Sequence, residues 1–478
     1  MKSKLYVTTS IPYVNAEPHI GFALELVQAD VIARYGRLIG KSVRFQTGTD
    51  ENAFKNVLAA QQQGLATQEL VDRNAERFRA LLQALCISAD DFIRTTEPRH
   101  RLGVHAFWRA IKPQDVVQRD YRGLYCTGCE DFYLDRDLVD GKCPDHGVPP
   151  VTIAEKNYFF RLPEYESWLS GLLEDRLVDI VPVSRRNEVL SFVRRGLTEF
   201  SISRSRQRTK GWGTTVPGDD SQTVYVWVDA LINYISALGF GTGDQWRDWW
   251  SDDVEKVHVI GKNVWKFHAI YWPALLRSAG LPPPDKIVAH GFLTVEGRKI
   301  GKSLGNAVDP FGVIEKYGPD AVRYYLLRAI PPFGDGDFSL ARLDELYRTE
   351  LANGIGNLVS RLASLCAKVN YVSPFPTERP PSPSTYSDAF AAFEFDKALA
   401  QVYNIVSELN SDIDRKRPWE LVGANEAERL RGLLTGWLSR VWTLATWLEP
   451  FLPNTSARII EKLFSGPVRP VSPLFPRL

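Results

Sequence analysis

The sequence predicts an α/β chain in which a parallel-sheet domain carries an insertion and is followed by an all-α helical bundle. Three observations support this. Strand-like and helix-like segments alternate near the start, the alternation breaks and then returns, and strands disappear after about residue 340. Strand–helix–strand order in one sheet builds right-handed parallel units, so the first domain is expected to be of the Rossmann type.

Taken in order, Leu5-Tyr6-Val7 is an apolar strand-like run, and Phe22 to Leu38 carries apolar residues at helical spacing. A second strand-like run, Ser42 to Gln46, ends at Thr47-Gly48-Thr49-Asp50. Residues 1–115 are thus read as the first half of the sheet domain, with ligands expected beyond the carboxyl ends of its strands. Residues 116–215 hold a cysteine cluster and irregular polar stretches, and read as an inserted connective domain. Strands resume at Thr223-Val224-Tyr225-Val226-Trp227, then at Val257 to Ile260 and Lys286 to Ala289, so 216–340 form the second half. Leu340 to Val372 and Ala389 to about Leu463 are helical by period, separated by a Pro/Ser-rich stretch, so 341–478 are expected to be a bundle.

The chain of 478 residues is 44% hydrophobic and 24% charged, with a formal net charge of +1. That is ordinary globular composition, long enough for about two to four domains. Any nucleic-acid surface must be a local cluster of cations, since the total is nearly neutral. No apolar leader and no run of about 18 apolar residues is present, so neither a signal peptide nor a membrane span is expected. Five cysteines, three of them grouped with a histidine, suggest metal binding in a reducing cytoplasm.

Two loops have the chemistry of phosphate handling. His19 precedes Gly21 at a predicted helix start, where backbone N–H groups attract anions and glycine allows close approach. Far downstream, Lys299-Ile300-Gly301-Lys302-Ser303 places two ammonium groups in a glycine-rich loop. Lysines there can neutralise charge that grows on a leaving group. Cys126-Thr127-Gly128-Cys129, followed after thirteen residues by Cys143-Pro144-Asp145-His146, supplies four N/S ligands. Cys126, Cys129, Cys143 and His146 are the set of a closed tetrahedral site, which predicts one structural Zn2+ per chain. Cys86 and Cys366 read as inert residues on apolar helix faces. In the helical region Asn357 and Arg361 share one helix face, and Arg415-Lys416-Arg417-Pro418-Trp419 joins three cations to an aromatic ring, a pattern suited to unstacked RNA bases.

Together these segments resemble the methionyl-tRNA synthetases, a family of class I aminoacyl-tRNA synthetases. Further segments carry the likeness: Thr9 to Asn15, Thr47 to Glu51, Ser201 to Arg204, Tyr225 to Tyr234, Phe267 to Pro273 and His290 to Val295. The resemblance covers nearly the whole chain. It implies that His19, Lys299 and Lys302 are catalytic, and that His19, Gly21, Asn263, Lys299, Lys302 and Ser303 bind ATP with Mg2+. It implies a methionine pocket of Ser10, Ile11, Tyr13, Asp50, Trp227, Ala230, Leu231, Tyr234, Phe267, His268 and Tyr271. An aromatic slot suits a thioether; Asp50 would meet the substrate ammonium, and Tyr234 and His268 would offer hydrogen bonds to the sulfur. It implies that Asn357, Arg361 and Trp419 read the CAU anticodon of tRNA(Met).

The chain departs from the family pattern at Phe22, Ile300, Gly301, Asn263, Asn52 and Ala53. The expected function is ATP-dependent activation of L-methionine and its transfer to tRNA(Met), by a monomer. Two rivals are an adenylating paralogue that passes the aminoacyl group to a small molecule, and a tRNA-binding protein without activity.

Overall fold

The computed structural model describes residues 2–126, 128–133, 135–144, 147–300, 306–373, 378–423, 426–469 and 472–477; the side chains of residues 131, 136, 299 and 423 are also outside the description. The chain divides into two compact units. One comprises residues 1–18, 39–80 and 89–289, and the other 19–38, 81–88 and 290–478.

The first unit is organised by a six-stranded sheet. Its strands are β1 (Lys4–Thr9), β2 (Ser42–Thr49), β3 (Asp91–Arg94), β4 (Asp179–Val181), β5 (Val254–Gly261) and β6 (Lys286–His290), in the spatial order β3-β2-β1-β5-β6-β4. β1 pairs in parallel with β2 and β5, with Val7 opposite Phe45 and Thr8 opposite His258. Five successive residues of β1 are buried, as expected for a parallel strand covered on both faces. Crossovers between parallel strands leave the strands' carboxyl ends on one edge, which positions the residues that follow β1, β2 and β5.

The segment expected to be an insertion begins with an antiparallel sheet built from Val116–Cys126, Asp131–Tyr133, Val151–Phe160 and Phe200–Ser201. One expectation fails here. Thr223 to Trp227 does not rejoin the parallel sheet. Asp219–Val224 belongs to a separate three-stranded antiparallel sheet, and the chain is helical from Val226 to Leu231. A short apolar run is compatible with strand or buried helix, and its packing decides which forms.

The second unit contains α1 (Ile20–Leu38) and the helical region. Strand Leu293–Val295 pairs with Arg298–Lys299 and Gly336–Phe338. Helices follow, among them Pro310–Tyr317, Pro319–Arg328, Asn357–Lys368, Phe395–Lys416, Ala427–Leu448 and Pro453–Phe464. Wide π-type turns join Leu340–Leu346 to Asn357–Lys368, and this helical run ends at Lys368 rather than Val372. A buried ion pair ties this unit together. Arg323 and Asp30 are both fully buried and meet at 2.7 Å, and Arg323 also donates to the carbonyls of Phe451 and Pro450. Cys86 differs from expectation: it lies beyond the helix that ends at Ala84, with φ +56°, and is only half-buried. Cys366 is buried, as expected.

Candidate active site

The expected amino-acid pocket lies wholly in the first unit. Ser10 follows β1, and its amide donates to the Val259 carbonyl of β5 at 3.0 Å. Asp50 follows β2, and its amide donates to the Pro12 carbonyl at 2.8 Å, setting Tyr13 beside it. The sheet thus presents Ser10 and Asp50 at the ends of adjacent strands. Trp227, on the helix Val226–Leu231, stacks on Phe267 with centroids 4.0 Å apart and planes within 6°, and Tyr13 stands 5.9 Å from Trp227. Phe267, His268 and Tyr271 come from one π-helical turn, Phe267–Tyr271. Ala230, Leu231 and Tyr234 are buried, whereas Ser10, Ile11, Tyr13 and Trp227 are half-buried. The result is an aromatic-walled slot.

At Tyr234 and His268 the proton positions follow from the partners. His268 Nδ1 faces the Val264 carbonyl at 2.9 Å, so this nitrogen carries the proton. Burial pushes the His268 pKa down to about 4, so the ring is neutral and Nε2 is an acceptor. The Tyr234 hydroxyl therefore donates to Nε2 at 2.7 Å. His268 has no proton left for a sulfur atom, contrary to the expectation that both residues offer one.

The acidic end of the pocket holds more than Asp50. Asp50 is 1% exposed, and its pKa is well above the ordinary carboxylate value because of burial, with Asp229 and Glu130 nearby adding to the effect. The Asn52 amide donates to Asp50 Oδ1 at 3.2 Å, and the Asn52 side chain donates to Asp229 Oδ2 at 2.8 Å. His100 Nε2 lies 3.2 Å from the same Asp229 oxygen. Asn52, which departs from the family pattern, is thus a bridge between two buried carboxylates. Burial and neighbouring carboxylates disfavour the charged form of Asp50, and an arriving ammonium group would restore it, so the cluster suits a cationic substrate group.

The phosphate motifs fall in the second unit, apart from Asn263, which is exposed in the first unit just beyond β5. The Gly21 amide donates to His19 Nδ1 at 3.1 Å, so the neutral ring carries its proton on Nε2. A Cβ at Gly21 would stand 2.9 Å from the His19 ring and 3.8 Å from Ile300 Cδ1. Only glycine therefore lets the ring fold over the start of α1. The Phe22 ring lies tilted by 32° against His19, with centroids 4.4 Å apart. Ile20 donates its amide to the Val308 carbonyl at 3.1 Å, just past the lysine loop. Lys302, Ser303 and the Lys299 side chain lie outside the described residues.

The sulfur atoms of Cys126, Cys129 and Cys143 lie within 4.8 Å of one another and could hold a metal ion. Cys129 and Cys143 are 3.4 Å apart, and the Tyr133 hydroxyl donates to Cys129 Sγ at 3.0 Å. Three converging thiols fit a thiophilic divalent ion well. His146 lies outside the described residues.

In the helical region Asn357 is exposed, Trp419 is 44% exposed, and the Arg361 guanidinium sits 5.9 Å over the Trp419 ring. Arg361 is also paired with Asp414 at 2.5 Å. The adjacent cations do not form an unpaired basic patch. Arg415 and Lys416 both pair with Asp412, and Arg417 pairs with Glu420.

This arrangement can be set against known proteins. The family model described as tRNA synthetases class I (M) matches residues 5–150 and 146–363. The chain belongs to the methionyl-tRNA synthetase family. The methionine–tRNA ligase of Thermotoga maritima is 40% identical over 96% of this chain and 75% of the relative. That of Mesorhizobium japonicum is 39% identical over 97% of this chain and 92% of the relative. Mycobacterium tuberculosis methionyl-tRNA synthetase in complex with methionyl-adenylate matches at a TM-score of 0.91 and 35% identity, covering 100% of both chains.

Within this synthetase, Asp229, Glu130 and His100 escaped sequence reasoning. Asp229 was legible in principle, as the lone carboxylate in the apolar run Tyr225 to Tyr234. Glu130 and His100 carry no such signal, because their partners lie far away in the chain.

Proposed function

We infer that this synthetase is a methionine–tRNA ligase, which activates L-methionine with ATP and transfers it to tRNA(Met). One observation carries the reading: the aromatic slot bounded by Tyr13, Trp227 and Phe267 has a buried carboxylate, Asp50, at the same strand edge. It suits a substrate that is apolar and polarisable at one end and cationic at the other. Near-full-length relatives named for tRNA ligation weigh against transfer to a small molecule.

In the first step the methionine carboxylate attacks the ATP α-phosphate, giving methionyl-adenylate and pyrophosphate. Asp50 receives the ammonium group. Ser10, Ile11, Tyr13, Trp227, Ala230, Leu231, Tyr234, Phe267, His268 and Tyr271 enclose the side chain. His19 offers its Nε2 proton to a phosphate oxygen, Gly21 admits the phosphate to the start of α1, and Asn263 and Ser303 complete the ATP contacts. Lys299 and Lys302 neutralise the departing pyrophosphate. Mg2+ brought with ATP supplies further charge neutralisation. In the second step the terminal ribose hydroxyl of the tRNA takes the methionyl group from the adenylate and AMP leaves. Positioning and charge stabilisation provide the acceleration without a covalent enzyme intermediate.

Residues 1–115 and 216–340 form the catalytic domain in this reading, 116–215 the connective domain and 341–478 the anticodon-binding domain; strand Asp179–Val181 departs from these bounds, since it pairs with Lys286–His290 in the parallel sheet. Cys126, Cys129, Cys143 and His146 hold a structural Zn2+. Asn357, Arg361 and Trp419 read the anticodon. A cytoplasmic monomer belongs to the same reading; no helix among the described residues is long and apolar enough to cross a membrane. Methionine-dependent exchange of labelled pyrophosphate into ATP is the test. Folded protein that gives no exchange with methionine would refute the first step.

A further inference from the structure

The cysteine cluster and the amino-acid pocket share one dipeptide. Cys129 gives its sulfur to the cluster, while its carbonyl accepts the Trp227 indole N–H at 3.2 Å. The next residue, Glu130, is 4% exposed and is held at φ +56°. A left-handed conformation in a non-glycine residue persists where its surroundings enforce it. Glu130 Oε1 accepts the amide of Lys55 at 3.0 Å. Lys55 lies in the first turn of α2 (Phe54–Gln62), whose own N-cap, Ala53, has no side chain to accept an amide. Glu130 therefore caps α2 from another part of the chain, with negative charge at the positive end of the helix. This helix begins just after the Asp50 turn, and the Lys55 ammonium lies 5.1 Å over the Tyr13 ring. Consecutive residues of the metal-binding turn thus hold two walls of the pocket: Trp227 with its partner Phe267, and the segment joining Asp50 to α2.

We propose that Glu130 is a positioning residue for amino-acid recognition, and that the metal-binding turn sets methionine affinity by fixing α2 and Trp227. The proposal rests on the ligase reading. A residue with a purely structural role would lower the rate through the amount of folded enzyme and leave both KM values unchanged. A positioning role separates them, because Glu130 reaches the amino-acid pocket and no described contact joins it to the phosphate motifs.

The test compares E130A and E130Q in methionine-dependent pyrophosphate exchange, with bound metal counted by release to a chromogenic chelator. Chain labelled with 5-fluorotryptophan adds a readout independent of activity, with the Trp227 fluorine resonance identified by its loss in W227F. E130A is expected to raise the methionine KM about fivefold to tenfold, the scale of a lost helix cap. Its ATP KM and metal content stay at the wild-type level. E130Q, whose amide oxygen still accepts from Lys55, returns the methionine KM to within about twofold of wild type. Metal withdrawal shifts the Trp227 resonance. Equal rises in both KM values, damage by E130Q as great as by E130A, or a Trp227 resonance indifferent to metal would each overturn the proposal. Absence of exchange in the wild type would instead defeat the ligase reading, and the fluorine resonance would still decide whether the metal-binding turn governs Trp227.

Discussion

The amide of Ile20 donates to the carbonyl of Val308 at 3.1 Å, joining the helix that opens at the first phosphate motif to the segment that follows the second. Gly21 and Ile300 approach one another in the same unit. Ile300, in the second motif, and Val308, just past it, are therefore neighbours of the first, as a single nucleotide site requires.

Gly21 should be intolerant of even one methyl group. In G21A the new Cβ would meet the His19 ring at 2.9 Å, and the ring, as the more mobile partner, would swing away. The ATP KM in pyrophosphate exchange should rise by about fivefold to thirtyfold, the equivalent of one or two kcal/mol. The methionine KM and the melting temperature should stay near wild type.

Trp419 is exposed and should serve RNA rather than folding. W419A should leave pyrophosphate exchange unchanged and lower the charging of methionine tRNA by about fivefold to 150-fold, since a stacked base contributes about 1–3 kcal/mol. Steady-state charging against tRNA concentration measures this.

Arg323 and Asp30 are both fully buried, and each leaves the other costly to strand. R323M should destabilise the protein by about 3 kcal/mol in urea unfolding, because the buried Asp30 loses one of its two guanidinium partners, keeping Arg34 and Ser88, and the carbonyls of Phe451 and Pro450 lose their donor. The double variant R323M/D30L should recover only part of that loss, because Arg34 and the Ser88 amide then lose their Asp30 acceptor.

Stability should fall in mild acid through the buried histidines. The folded pKa of His268 is about 4 against 6.5 for the free side chain, with burial as the cause. The unfolded chain therefore binds more protons between these values. The contribution is complete above about pH 6.5 and is lost as pH falls towards 4, amounting to about 3 kcal/mol. Burial also holds His258 well below the ordinary value, so it acts in the same direction. Burial raises the Asp50 pKa, which acts in the opposite direction, so the histidine effect is read by difference: unfolding free energy measured from pH 7 to pH 4 should fall more steeply in the wild type than in H268N.

Much of this site was legible in local segments. Tyr13, Trp227, Phe267 and His268 sit within short runs whose order and spacing carry the family likeness, and the structure brings them to one slot. What stayed hidden depends on tertiary packing. Tyr225 to Trp227 reads as strand because its apolar residues suit either state, and burial against neighbouring elements selects helix from Val226 onward. Asn52 and His100 meet at Asp229, and Glu130 meets Lys55, through contacts spanning 75 to 177 positions, which no local pattern records. The cations after Asp414 look available in sequence, yet Asp412, one helical turn away, neutralises two of them.

The central claim is that one chain both makes methionyl-adenylate and recognises the anticodon of the tRNA that receives it. Charging of two tRNA transcripts with labelled methionine, one with the CAU anticodon and one with that triplet altered, tests both halves together. Rapid acylation of the first and severe loss with the second is the expected result. Equal charging of both, or acylation of neither by protein that still consumes ATP with methionine, would contradict the account.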